Sequence, residues 1–156
     1  MLASAGPGVI QDIYERRHMW SAAKYNFSAW QPQVVVVNIC TNDMYSTYAD
    51  AGDSLPSKEK FGTAYMQLLT KIRTNNPDAH IICAIGPMLS GSTLTRSRQA
   101  VQYAIEQFGD SKVSFLEFAP HSAADGYGAL WHPSKITQQK MANVLTEEIK
   151  RITGWE

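Results

Sequence analysis

Long apolar runs are missing from this sequence. The longest, Val34 to Val37 with its neighbours, falls far short of a membrane span, so no membrane partner is expected. Net charge is missing too. Fourteen Lys and Arg balance fourteen Asp and Glu, which leaves no field to gather nucleic acid or an anionic membrane. Cysteine is scarce: Cys40 and Cys83 are too few for a disulfide framework and lack metal-ligand spacing, and the expectation is no metal and no cofactor. Residues 1–9 carry neither the basic nor the apolar part of a signal peptide. No Gly-rich phosphate loop follows a strand, which argues against a flavodoxin-like nucleotide or regulatory domain. Repeats, low-complexity segments and linkers are also absent. The remaining reading is one globular domain over residues 1–156, with 44% apolar and 18% charged residues.

What is present is an alternation of two periodicities. Residues 34–39, 80–85 and 112–118 read as parallel strands, the first two nearly continuous in apolar residues, the third more alternating and suited to a sheet edge. Between them Phe61, Tyr65, Leu68, Leu69 and Ile72 recur at helical spacing, with Ser57 as N-cap and Asn75-Asn76-Pro77 as the stop. Val101, Ala104, Ile105 and Phe108 make a second stripe ended by Gly109. Met141, Val144, Leu145, Ile149 and Ile152 make a third, with Pro133 at the first helical position. A shorter helix is expected over residues 9–17. Right-handed crossovers then give a three-layer α/β/α sandwich around a mostly parallel sheet.

In such sheets ligands bind beyond the carboxyl ends of the strands. Asn42 stands there, in Thr41-Asn42-Asp43 just after the first strand, where an amide can donate to an oxyanion. The same tripeptide also suits an ordinary turn. His132, in Trp131-His132-Pro133-Ser134, follows the loop that leaves the last strand, a setting suited to a general base or equally to a capping histidine. The other histidines, His18, His80 and His121, lack that setting and read as structural. Gly6-Pro7-Gly8 can present a backbone N–H to an anion, or be a plain loop.

The three elements together resemble the SGNH (GDSL-like) hydrolases, and most closely the carbohydrate esterase family 2 acetyl xylan esterases. The resemblance rests on the run from Tyr25 to Asp43, ending Asn38-Ile39-Cys40-Thr41-Asn42-Asp43, and on Gly126-Tyr127-Gly128-Ala129-Leu130-Trp131-His132-Pro133-Ser134. It implies a flavodoxin-like sandwich and an ester hydrolase that deacetylates acetylated carbohydrate in a secreted or extracellular setting. Asn42 and the Gly6 N–H would hold the oxyanion, and His132 would be the base. Ala129 stands where an acid usually precedes the histidine by three residues, so the Trp131 carbonyl would orient the ring instead, leaving a Ser–His dyad. Trp131, Tyr127 and Asp43 are the candidate substrate contacts, within a wider set of loop aromatics that includes Trp20, Tyr25, Phe27 and Trp30.

Two departures stand out. Cys40 occupies the glycine position of the Gly-x-Asn-Asp block. No Gly-Asp-Ser block, the nucleophile of such enzymes, precedes Gly6; Gly52-Asp53-Ser54 spells it in a polar loop with no strand before it, and Ser4 has no strand-to-helix elbow. The first strand of the fold is therefore expected to be missing, with the serine outside this chain. That would leave the Val34 strand as an apolar edge, to be covered by a complementing N-terminal segment or by a homo-oligomer. The alternative is a non-catalytic carbohydrate-binding relative that has lost its nucleophile.

Overall fold

A computed structural model describes residues 9–44 and 56–156. Gly6, Ser4 and the Gly52-Asp53-Ser54 triplet lie outside the described residues.

Three strands, β1 (Val34–Asn38), β2 (His80–Ile85) and β3 (Val113–Glu117), pair in parallel in the order β1-β2-β3, with Val34 opposite His80 and Ile81 opposite Val113. The helices are α1 (Ile10–Ile13), α2 (Lys58–Asn75), α3 (Gly91–Phe108) and α4 (Lys135–Thr153). Side-chain alternation divides the sheet into two faces. Val35, Val37, Ile81, Cys83, Ile85, Val113 and Phe115 meet Phe61, Tyr65, Leu68, Leu69 and Ile72 of α2 and Ala100, Val101 and Ala104 of α3 in one core. Helix α4 serves the other face: Leu116 shares a cleft with Val144 and Glu148. Ile82 and Ala84, of the same face, are fully buried. The result is the expected three-layer α/β/α sandwich around a parallel sheet.

Local chemistry sets the boundaries. Ser57 Oγ accepts the Lys60 N–H at 3.2 Å to open α2, and Asn76 closes it. Gly109 ends α3 in the left-handed conformation (φ +67°), where a Cβ would be strained. Two expectations need correction. The first helix stops at Ile13 rather than running to residue 17, because the Arg17 N–H donates to Ala23 O and the Tyr25 N–H to Glu15 O, folding residues 15–25 back on themselves. Pro133 is not the first residue of α4. Ser134 is the N-cap, accepting the Thr137 N–H at 3.3 Å, and Pro133 lies ahead of it.

Burial is uneven across the sheet. Every residue of β2 from Ile81 to Ile85 is buried, whereas in β1 only Val37 is, and Val36 is 38% exposed. Among the described residues β1 pairs with β2 alone, so its outer edge is open. Helix α4 is also lightly covered: its Ile136 and Val144 are exposed.

Arg73 clamps the amino ends of β2 and β3. It donates to Asp110 Oδ2 at 2.7 Å and to the carbonyls of Asn76, Pro77 and Ala79 at 3.1, 3.1 and 2.6 Å. Partial burial acts upward on the Asp110 carboxyl, but the Lys112 N–H and Arg73 outweigh it and hold the group below its usual 3.8. A carboxyl depressed on folding stabilises the fold above its unfolded value and loses that contribution as pH falls through its folded value. Asp110→Asn should therefore lower Tm near neutral pH, with the difference from wild type shrinking below pH 3.8. Thermal unfolding monitored by circular dichroism across pH checks this; a difference independent of pH would count against the ion pair.

Candidate active site

Strand β1 ends at Asn38, and Cys40 turns the chain with φ +103°. Its carbonyl accepts the N–H groups of Asp43 and Met44 at 3.1 and 3.2 Å, which closes a tight turn. Cys40, Asp43 and Met44 point inward and are 2%, 8% and 2% exposed, while Asn42 between them is exposed. The Asn42 amide therefore sits on the solvent side of the turn, at the carboxyl edge of the sheet. Asp43, the other candidate substrate contact in this turn, is buried beneath the exposed Asn42.

Cys40 is the thiol nearest this turn, and it is no substitute nucleophile. Burial pushes it up to about 12, and burial likewise takes Cys83 to about 12. A thiol is nucleophilic as its thiolate, and both remain protonated at neutral pH.

The second part of the site is the loop between β3 and α4. Tyr127 and Pro133 bridge in antiparallel fashion, and the Gly128 N–H donates to His132 O at 2.8 Å. A Cβ on Gly128 would lie 3.2 Å from Pro133 O, so a larger residue here would have to push the crossing backbone back by a few tenths of an ångström. Ser134 Oγ donates to Asp125 O at 2.7 Å, and the Asp125 carboxylate pairs with Lys140 of α4 at 2.7 Å. These bonds staple the loop to the helix that follows.

At its tip Leu130 and Trp131 both adopt left-handed conformations, φ +52° and +62°. That curl brings backbone carbonyls to the imidazole. His132 Nδ1 lies 3.0 Å from Ala129 O and 3.1 Å from Leu130 O. The Trp131 carbonyl was expected in this role; the left-handed turn gives it to residues two and three back instead. Carbonyl oxygens only accept, so Nδ1 carries a proton, and in the neutral ring the lone pair is then on Nε2. This is the orientation that an acid provides in a triad, here supplied by main chain.

The Trp131 indole projects into solvent, 72% exposed, and meets Tyr127 edge-on with centroids 5.2 Å apart. His121 backs Tyr127 in turn, at 5.0 Å. An exposed aromatic ledge thus adjoins His132. The aromatics nearer the amino terminus are elsewhere: Tyr25, Phe27 and Trp30 line a groove of about 340 Å³ with Tyr14, Val34 and Asn76, beside the amino end of β1 and away from Asn42. Because the strands are parallel, Asn42 and His132 both emerge at the carboxyl edge, while Gly6 lies outside the described residues. Among those residues no group of three His, Cys, Asp or Glu is placed to hold a metal.

Sequence reasoning missed the carbonyls of Ala129 and Leu130 and the Asp125–Lys140 staple. Left-handed backbone at Leu and Trp has no compositional signal. The asparagine turn and the histidine loop thus lie at one edge of a parallel sheet. Residues 10–140 match the GDSL-like lipase/acylhydrolase family.

The chain belongs to that family.

Within the family the chain is 44% identical over 153 residues to the cellulase/esterase CelE of Acetivibrio thermocellus, covering 96% of this chain and 18% of CelE. It is 24% identical over 134 residues to the acetylxylan esterase / glucomannan deacetylase of Cellvibrio japonicus, covering 83% of this chain and 36% of that protein. Among solved structures, a family two carbohydrate esterase from Clostridium thermocellum in complex with cellohexaose superposes with a TM-score of 0.86 at 42% identity, over 98% of this chain and 46% of that one. The chain thus spans less than half the length of these relatives.

The carbonyl-held ring predicts one tautomer. In the neutral histidine, 15N-resolved NMR of labelled imidazole should show the Nδ1–H form predominating at His132. A predominant Nε2–H form would overturn the assignment.

Proposed function

We propose that this chain carries the oxyanion and base half of a carboxylic-ester hydrolase that deacetylates acetylated carbohydrate. In this reading a serine attacks the acetyl carbonyl, and His132 Nε2 takes its proton. The Asn42 amide, with the Gly6 N–H, donates to the tetrahedral oxyanion. The observation that carries the reading is the pair of carbonyls on His132 Nδ1, which frees Nε2 to act as the base. Relatives described as an acetylxylan esterase / glucomannan deacetylase support the acetyl-sugar substrate, and Trp131 with Tyr127 offers an aromatic ledge against which a sugar ring could stack.

The serine is supplied by a complementing segment that pairs along the open edge of β1. The position of that edge supports this role. A parallel strand laid beside Val34–Asn38 would end next to the Asn42 turn, within the same crevice. A second copy of the chain is the other way to cover the edge.

The test compares this chain with a version extended upstream in its gene, on p-nitrophenyl acetate and on acetylated xylan. Acetate release confined to the extended version is the expected result. In that version Asn42→Ala should lower kcat about a hundred- to a thousandfold, and His132→Ala about a hundredfold to ten-thousandfold. Inactivity of both versions sinks the hydrolase reading; retained oligosaccharide binding would then mark a carbohydrate-binding relative. Light scattering that finds the isolated chain dimeric would favour the second copy.

A further inference from the structure

The glycine position of the Asn42 block holds Cys40, and its backbone stays in the region that glycine favours, φ +103°. A side chain there is strained, and such strain persists only where surroundings over-determine the conformation. Three observations identify what does so here. The Cys40 side chain is 2% exposed and belongs to the core shared by α2 and α3. Ser97 of α3 is fully buried as well and draws the thiol down against the upward push of burial, and the Ser97 hydroxyl is itself fixed, donating to Thr93 O at 2.8 Å. The Cys40 carbonyl, held on the same residue, accepts the two N–H groups that close the turn under Asn42.

We infer that Cys40 is a positioning residue: its buried thiol anchors the turn to α3 and so fixes the direction in which the Asn42 amide projects. Glycine would let this turn adopt its shape without strain but also let it leave that shape freely. Cysteine changes the balance. Any opening of the turn must withdraw the sulfur from the core, where it packs as a small hydrophobe. The strained φ and the buried thiol oppose each other, and the anchor holds only if burial prevails. The substitution for the usual glycine thereby trades a permissive turn for a preorganised donor, the property on which oxyanion stabilisation depends.

The inference rests on the proposed role of Asn42 for its consequence, but not for its first test. Amide hydrogen exchange at Asp43 and Met44, whose N–H groups close the turn, reads the anchor directly in this chain. Cys40→Gly should speed exchange there about two- to fivefold, the added freedom of glycine. Cys40→Ala, which keeps the strain and loses the sulfur, should speed it about tenfold or more. Cys40→Ser should stay near wild type, and Ser97→Ala should shift the same two amides, with those of β2 unchanged in all four variants. If the thiol were no anchor, Cys40→Gly would merely relieve strain and slow the exchange; that opposite sign overturns the inference.

The second arm is kinetic, in the extended version. Cys40→Gly should lower kcat with KM unchanged, and Cys40→Ser should restore it. A hydrolase that fails the acetate assay would remove this arm and leave the exchange result standing, so the two failures are separable.

Discussion

Strand β2 is enclosed on every side. In its own plane it gives hydrogen bonds to β1 and β3. Above and below, α2 with α3 and α4 take its two faces, and Ile81 to Ile85 retain no measurable exposure. Removing five consecutive residues from water this fully is possible only because the parallel ladders satisfy their backbone groups. The parallel register then has a functional consequence. It forces all three strands to deliver their outgoing loops to a single edge, so a turn after β1 and a loop after β3 face the same solvent region although ninety residues separate Asn42 from His132.

The two halves of the site are rigidified by different means. The histidine loop is held by its own backbone: an antiparallel bridge at Tyr127 and Pro133, a serine cap, and two carbonyls on one ring nitrogen. The asparagine turn is held from inside the core, through Cys40, Asp43 and Met44. Both leave the side chains of Asn42 and His132 exposed while the atoms that aim them are bonded or buried, the arrangement that the proposed preorganised site requires.

The exposed edge of β1 and the lightly covered α4 contrast with the closed opposite face. Val36, Ile136 and Val144 present apolar surface where Ile81 to Ile85 of β2 present none. A β-branched edge with no strand partner among the described residues is a pairing surface by its nature, and under the proposed function its position next to Asn42 gives the same edge a part in the chemistry.

Much of this was legible in the chain itself. The near-continuous apolar runs and the helical stripes set the strands and helices, because periodicity reports burial directly. Ser57, Asn76 and Gly109 marked helix ends through capping chemistry that acts over a few residues. Asn42 and His132 were visible because their positions relative to strands and loops are local in sequence. Three-dimensional packing decided the rest. Which carbonyls face the His132 ring depends on left-handed backbone at Leu130 and Trp131, which those residue types do not announce. The inward turn of Asp43, the burial of Cys40 against α3, and the siting of Tyr25, Phe27 and Trp30 beside the amino end of β1 follow from contacts between segments far apart in the chain. Sequence specifies short-range preference; the direction in which a side chain finally points is fixed by the neighbours that tertiary structure supplies.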